Sequence, residues 1–205
     1  GIAILPLPVA LVIASRRSIA VAGRLGVRTT VVGGMLLLSA GLVAFSFLDG
    51  STPYPAYAVV LVAVATGMGL SVPSLSAGIV ASLPPERAGA ASGLNSAVRE
   101  VGAALGVAVV GSVLASRFAH DLPRPLRSHA GSASQALAAA RDLGPAAHSA
   151  AVDAFTAAMA TGVRVVAVFT AVAAIAAAAG LRDRPPSGPG VRDVPRHHRS
   201  ARGGT

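Results

Sequence analysis

Asn95, Arg99 and Glu100 are side chains with acid, base and hydrogen-bonding chemistry set where such groups are rare. They lie in the stretch PPERAGAASGLNSAVREVGAALGVAVVGSVLAS (84–116), in which a short polar turn leads into a long run of small apolar residues. Such a run can cross a bilayer, for which roughly 20 residues at a rise of 1.5 Å suffice. A charge one third of the way in costs roughly 2.5–3.5 kcal/mol on insertion scales and is tolerated where it faces protein or water. Steps of three and four place Ser92, Asn95, Arg99, Gly102 and Gly106 on one helical face. That face is small and polar, the character of a cavity wall or a tight helix contact. Arg99 with Asn95 reads either as a fixed positive charge beside an aqueous pathway or as an inter-helix hydrogen-bond anchor. Glu100 sits about 100° round the helix from Arg99. It reads as a proton carrier, since burial raises a carboxyl pKa, or as a locally paired, solvated group.

The elements that must hold these residues are membrane helices. The chain is 53% hydrophobic and 12% charged, with a mean hydropathy of +0.68. Ordinary soluble domains carry about 25% charged residues. The sequence therefore predicts an all-α integral membrane bundle of five transmembrane segments, at about 1–20, 30–48, 56–83, 89–116 and 156–181. Residues 117–155 read as an external loop with a short helix over 134–143. Residues 182–205, rich in Pro, Gly and Arg, read as a disordered cytoplasmic tail. Arg16, Arg17, Arg24 and Arg28 make a basic loop between the first two runs. With Arg87 and the tail arginines they put that side in the cytoplasm. Tyr54 and Tyr57 suit a membrane interface. Arg164, two turns inside the fifth run, has a stem long enough to snorkel outward.

In the third run Pro73 removes one backbone donor and is expected to kink the helix. Gly67, Gly69, Ser71, Ser74 and Ser76 around it allow close approach and local rescue of freed carbonyls. The Gly67, Gly69 and Pro73 cluster reads as packing or as a hinge. The pairs Gly89/Gly93 and Gly102/Gly106 read as close helix packing.

Several function classes are excluded. Cysteine is absent, and all 17 basic residues are arginine. A Walker A loop and Schiff-base catalysis both need lysine. No HExxH, GxSxG or GxGxxG pattern occurs, so no enzyme, cofactor or metal site is expected. His197 and His198 are adjacent in the polar tail and carry no metal reading. The net charge of +9 does not signal nucleic acid, because aromatic residues are 3% of the chain and the arginines flank membrane runs.

The series LPLPVALVIAS, GRLGVRT, TGMGLSVPSLSAG and AGAASGLNSAVREVGAALGVAVVG resembles the last part of a fourteen-helix major facilitator transporter. The group it resembles is that of the drug:proton antiporters typified by EmrB and QacA. The resemblance covers nearly all of residues 1–181 and implies that the five runs are helices ten to fourteen. Arg24, Gly26 and Arg28 match the cytoplasmic loop motif of that superfamily. Gly23 stands where the motif has Asp, and Ile19 where it has Gly, so the motif's carboxylate is missing. Glu100 stands where the group usually has Gln. The chain opens at Gly1 inside an apolar run, with no Met and no basic leader, and so reads as starting mid-protein.

The resemblance implies a segment of a proton-coupled exporter of drugs or other amphiphilic organic compounds in the inner (plasma) membrane. Its partners would be an organic substrate, protons, the lipid bilayer and missing N-terminal helices. The alternatives are an exporter of one specific metabolite or host-made antibiotic, and a non-transporting or truncated membrane module. Asn95 and Arg99 discriminate these, because an anchor has no reason to bury them.

Overall fold

The structure, a computed structural model, describes residues 5–49, 52–81, 88–129 and 131–181. Its helices are α1 (Pro6–Leu25), α2 (Val27–Phe45), α3 (Tyr54–Ala81), α4 (Ala88–Asp121), α5 (Ala133–Asp142) and α6 (Pro145–Gly180), with a 3₁₀ helix at Arg124–His129. No strand occurs among the described residues. Five of the helices are long and apolar enough to cross a membrane, and the chain is a multi-pass helical bundle. Proline marks the starts, where its missing donor costs nothing: Pro6 opens α1 and Pro145 opens α6.

Two expectations need correction. The basic loop between the first two runs is helical almost throughout, with a single-residue break at Gly26. Arginine is a good helix former, so Arg16, Arg17 and Arg24 simply continue α1. Gly26 supplies the reversal at φ 88° and ψ 150°, where a side chain would be strained. The expected 117–155 loop is also mostly helical. α4 runs on to Asp121, α6 starts at Pro145, and between them come the 3₁₀ helix and α5. Alanine-rich sequence favours this, and it puts α5 where the composition of 134–143 pointed. The turn at 84–87 and the tail at 182–205 lie outside the described residues.

α1, α2 and α3 form the tightest contact, made possible by missing side chains. A methyl group at Gly67 would sit 2.5 Å from the Leu38 backbone nitrogen and 2.6 Å from the Gly34 carbonyl oxygen. One at Gly69 would meet the Ala14 methyl at 2.7 Å and the Leu11 carbonyl at 2.9 Å. Backbones thus touch directly, the usual solution where no hydrophobic force separates helix from lipid. Pro73 sits inside the continuous α3 helix. Nearby, the Ser71 hydroxyl donates to the Gly67 carbonyl at 2.7 Å, and buried Ser74 donates to the Ser18 carbonyl at 3.5 Å. Both glycine contacts lie on the turns just before the proline, so α3 is clamped there by α1 and α2.

α6 lies on the other side of α2. The buried Ser39 hydroxyl donates to the Ala167 carbonyl at 2.8 Å. At the end of α2, Arg164 Nε donates to Ser46 Oγ at 3.1 Å. Beyond that level, α6 and the end of α4 enclose a separate small core. Phe118, Leu122, Leu126, Ala136, Ala140, Ala151, Ala154 and Ala158 are its buried members. The Phe118 and Phe155 rings meet edge to face at 6.0 Å.

Candidate functional site

α4 carries the predicted polar face for a simple local reason. Its 34 residues contain no proline, and small residues alternate with branched apolar ones in helical period. The helix is therefore continuous from Ala88 to Asp121 and displays Asn95 and Arg99 one turn apart, with Glu100 on the adjoining flank.

Asn95 is half-buried; Ser92, Arg99, Glu100, Gly102 and Gly106 are exposed. Arg99 and Glu100 do not pair with each other, and neither has an ion pair among the described residues. A methyl group added at Gly89, Gly93, Gly102 or Gly106 would meet nothing within 4 Å. The packing expected of Gly102 and Gly106 is therefore not made by this chain's described residues, in contrast to Gly67 and Gly69. Leu94, Val98, Val101, Leu105 and Val107 are also exposed. Everything from Ser92 to Val109 except Asn95 is open.

The depth of Arg99 follows from helix register. The Val110 side chain lies beside Gly162 of α6, and Arg99 is eleven residues, about 16 Å, along α4 from Val110. Counting back through Ala167 and Ser39 to the start of α2 puts Arg99 about 10 Å inside the level of Val27. An arginine stem can bridge most of that distance to the basic end.

The matching arginines of the loop motif are split by the Gly26 break: Arg24 lies in the last turn of α1 and Arg28 in the first turn of α2. Arg28 lines a shallow groove with Thr29, Val32, Gly33, Leu36 and Ala178. No α4 residue reaches this groove, so the two basic sites are not brought together. No group of three or more His, Asp or Glu suited to a metal occurs among the described residues.

Sequence reasoning passed over three features. Gly34 and Gly41 are as tightly packed as the α3 glycines: a methyl at Gly34 would meet Ser71 Oγ at 2.5 Å, and one at Gly41 the Val64 side chain at 2.8 Å. Their signal was small residues seven apart on one face of an uncharged run. The Ser39–Ala167 bond had no sequence signal, because the acceptor is a backbone carbonyl 128 residues away. The Phe118-centred core was hidden in a segment that reads as loop.

The fold and the polar α4 face define a multi-pass membrane protein, with charged residues inside a helix of spanning length. No family model matches the chain. It is similar to the multidrug resistance protein Stp of Mycobacterium tuberculosis, with 33% identity over 140 residues, 63% of this chain and 25% of that protein. It is similar to the multidrug efflux pump LfrA of Mycolicibacterium smegmatis, with 28% identity over 186 residues, 87% of this chain and 37% of the pump. A tetracenomycin C resistance and export protein of Streptomyces glaucescens is 32% identical over 60% of this chain and 23% of that protein. The resemblance to the drug-exporter branch of the major facilitators is thus borne out. These relatives are transporters and resistance proteins, not enzymes. The chain spans about a quarter to a third of their length.

Proposed function

We propose that this chain is a section of a proton-coupled exporter of amphiphilic organic compounds, and that α4 supplies part of the wall of its pathway. The observation that carries the reading is the exposed polar face of α4. In a membrane, exposed Val and Leu can rest on lipid at no cost, but Arg99 and Glu100 cannot. The open positions at Gly102 and Gly106 on the same face would let a further helix approach closely. The relatives are roughly two and a half times as long as this chain, which leaves room for further helices to provide that cover. Exchange would proceed by alternating access between two helical bundles, with proton flow as the driving force.

In this reading Arg99 is a fixed cation near the basic end of the pathway. Asn95, one turn away, offers both a donor and an acceptor. Gly67, Gly69 and Pro73 hold α3 against α1 and α2. The basic end, with Arg24 and Arg28, faces the cytoplasm, and the Phe118 core faces outward. A narrower reading, export of a single antibiotic, draws on the tetracenomycin C and methylenomycin A resistance proteins among the relatives.

The test is a chimera in which residues 1–181 replace the matching section of LfrA, assayed for proton-driven dye efflux in membrane vesicles and normalised to protein level. Arg99→Ala should abolish efflux with protein still in the membrane. Arg99→Lys keeps the charge without the planar fork and should give partial activity. Glu100→Gln should leave efflux largely intact. Full efflux from Arg99→Ala would reduce Arg99 to a tolerated interfacial charge and sink the pathway assignment.

A further inference from the structure

Arg164 is the one arginine in α6 and is followed by an uncharged, largely apolar run to Gly180. Helical side chains lean toward the N-terminus of their own helix. For Arg164 that direction leads past the end of α2. The guanidinium arrives beside Ser46 and Phe47: Nε donates to Ser46 Oγ at 3.1 Å, and the carbon of the fork stands 5.1 Å from the centre of the Phe47 ring. These two contacts fix the plane of the guanidinium and use one of its five N–H donors. Its two terminal NH₂ groups have no acceptor among the described residues. Asp49, the acid nearest in sequence to Ser46 and Phe47, accepts from the Thr52 hydroxyl at 2.9 Å, and neither it nor Asp153 of α6 forms an ion pair with Arg164 among the described residues.

The level of this group is that of a membrane surface. α2 is 19 residues long, about 28 Å at 1.5 Å per residue, against a hydrocarbon core of about 30 Å. If one boundary lies at the Arg24/Arg28 end of α2, the other falls at Ser46. Aromatic residues crowd there: Phe45 and Tyr57 rings lie 5.9 Å apart, Phe47 is 71% exposed and Tyr54 49% exposed. Half-wet rings at one level are the pattern of an interfacial belt. Past this level the molecule changes character and buries its own core around Phe118.

We propose that Arg164, held by Ser46 and Phe47, binds the phosphate of a lipid headgroup on the Phe118-core side of the membrane. The planar fork of arginine matches two phosphate oxygens, with both terminal NH₂ groups available for that pair. Phe47 and Tyr54 would flank the glycerol region. The site needs only membrane insertion, so it stands or falls independently of transport.

The experiment is native mass spectrometry of the full chain in detergent, titrated with phosphatidylglycerol. The first lipid adduct should weaken about tenfold in Arg164→Gln, as expected for loss of charge-assisted bonds. Arg164→Lys should fall between, and Phe47→Leu should weaken the adduct a few-fold by releasing the guanidinium plane. Arg141→Gln, on α5 and away from this level, should leave it unchanged. Diacylglycerol, which lacks the phosphate, should not form the adduct, and excess inorganic phosphate should not displace the lipid. Equal adducts in wild type and Arg164→Gln would overturn the proposal. So would an equal loss in Arg141→Gln, which would make the adduct a report of net charge. Displacement by inorganic phosphate would make this a free-anion site. Should Arg164→Gln lose helicity, Phe47→Leu decides, and an undiminished adduct in that variant would overturn the site.

Discussion

The two halves of α4 obey different rules. From Ser92 to Val109 the helix covers nothing but half of Asn95; from Val110 to Asp121 it turns Phe118 into a core where that ring is 2% exposed. Composition does not separate them, since both halves are rich in Ala, Val, Gly and Ser. The difference lies in surroundings. The second half stands level with the first turns of α6 and with α5, beyond the end of α2. If water surrounds it there, its apolar residues gain by covering one another, at roughly 25 cal/mol per Å². The first half lies at membrane depth, where lipid is as apolar as leucine and burial gains little. Exposed Val107 is therefore no defect, whereas exposed Arg99 demands a partner.

The largest expected effect comes from breaking the self-covered half. Phe118→Ala should destabilise the α4–α5–α6 end by about 3–5 kcal/mol, the usual cost of emptying a core ring site. Limited proteolysis should then cut between Leu122 and Gly144 while α1–α3 stay intact. Intact resistance to cleavage would show that this end is held by something other than its core. Val107→Ala, at a site 75% exposed, should leave thermal unfolding in detergent within measurement error.

Glycine sharpens the same contrast. Gly67→Ala forces a methyl against fixed backbone and should lower stability by about 1–3 kcal/mol, read as a lower unfolding temperature. Gly102→Ala should leave the isolated chain unchanged or slightly firmer, since it meets open space and alanine is the better helix former. In the LfrA chimera the same change should reduce efflux, if a further helix packs there. Unimpaired efflux from Gly102→Ala, and from the bulkier Gly102→Leu, would show that α4 faces lipid. Ser39→Ala is a smaller perturbation. It removes the bond to Ala167, and about 1 kcal/mol should be lost.

Orientation gives the mildest test, because it alters nothing in the fold. The chain has no cysteine, so a single introduced thiol reports its own position. Ser132→Cys should react with an impermeant thiol reagent in intact cells, and Ser187→Cys should not. The reverse pattern would place the basic end outside and the Phe118 core in the cytoplasm.

Much of this architecture was legible in the sequence. Uncharged runs of spanning length announce membrane helices, because lipid forbids unpaired backbone donors and leaves few other ways across. The depth of Asn95, Arg99 and Glu100 in such a run was equally plain, as a matter of counting residues. Helical period alone set which of them share a face. What tertiary structure decided was which small residues touch. Gly67 and Gly102 sit in similar sequence surroundings, yet one is pressed against the Leu38 backbone and the other meets open space. Period says which face a glycine is on, but not what lies opposite it. The long segment after Ser116 reads as loop with one short helix for a related reason. Its charges and prolines look like those of a loop, and only packing showed that Phe118, Leu122 and Leu126 close on the alanines of α5 and α6. Arg164 combines both lessons. Its stem length allowed a snorkel toward the interface, but Ser46 and Phe47, more than a hundred residues earlier, became its partners only when α6 lay down beside α2.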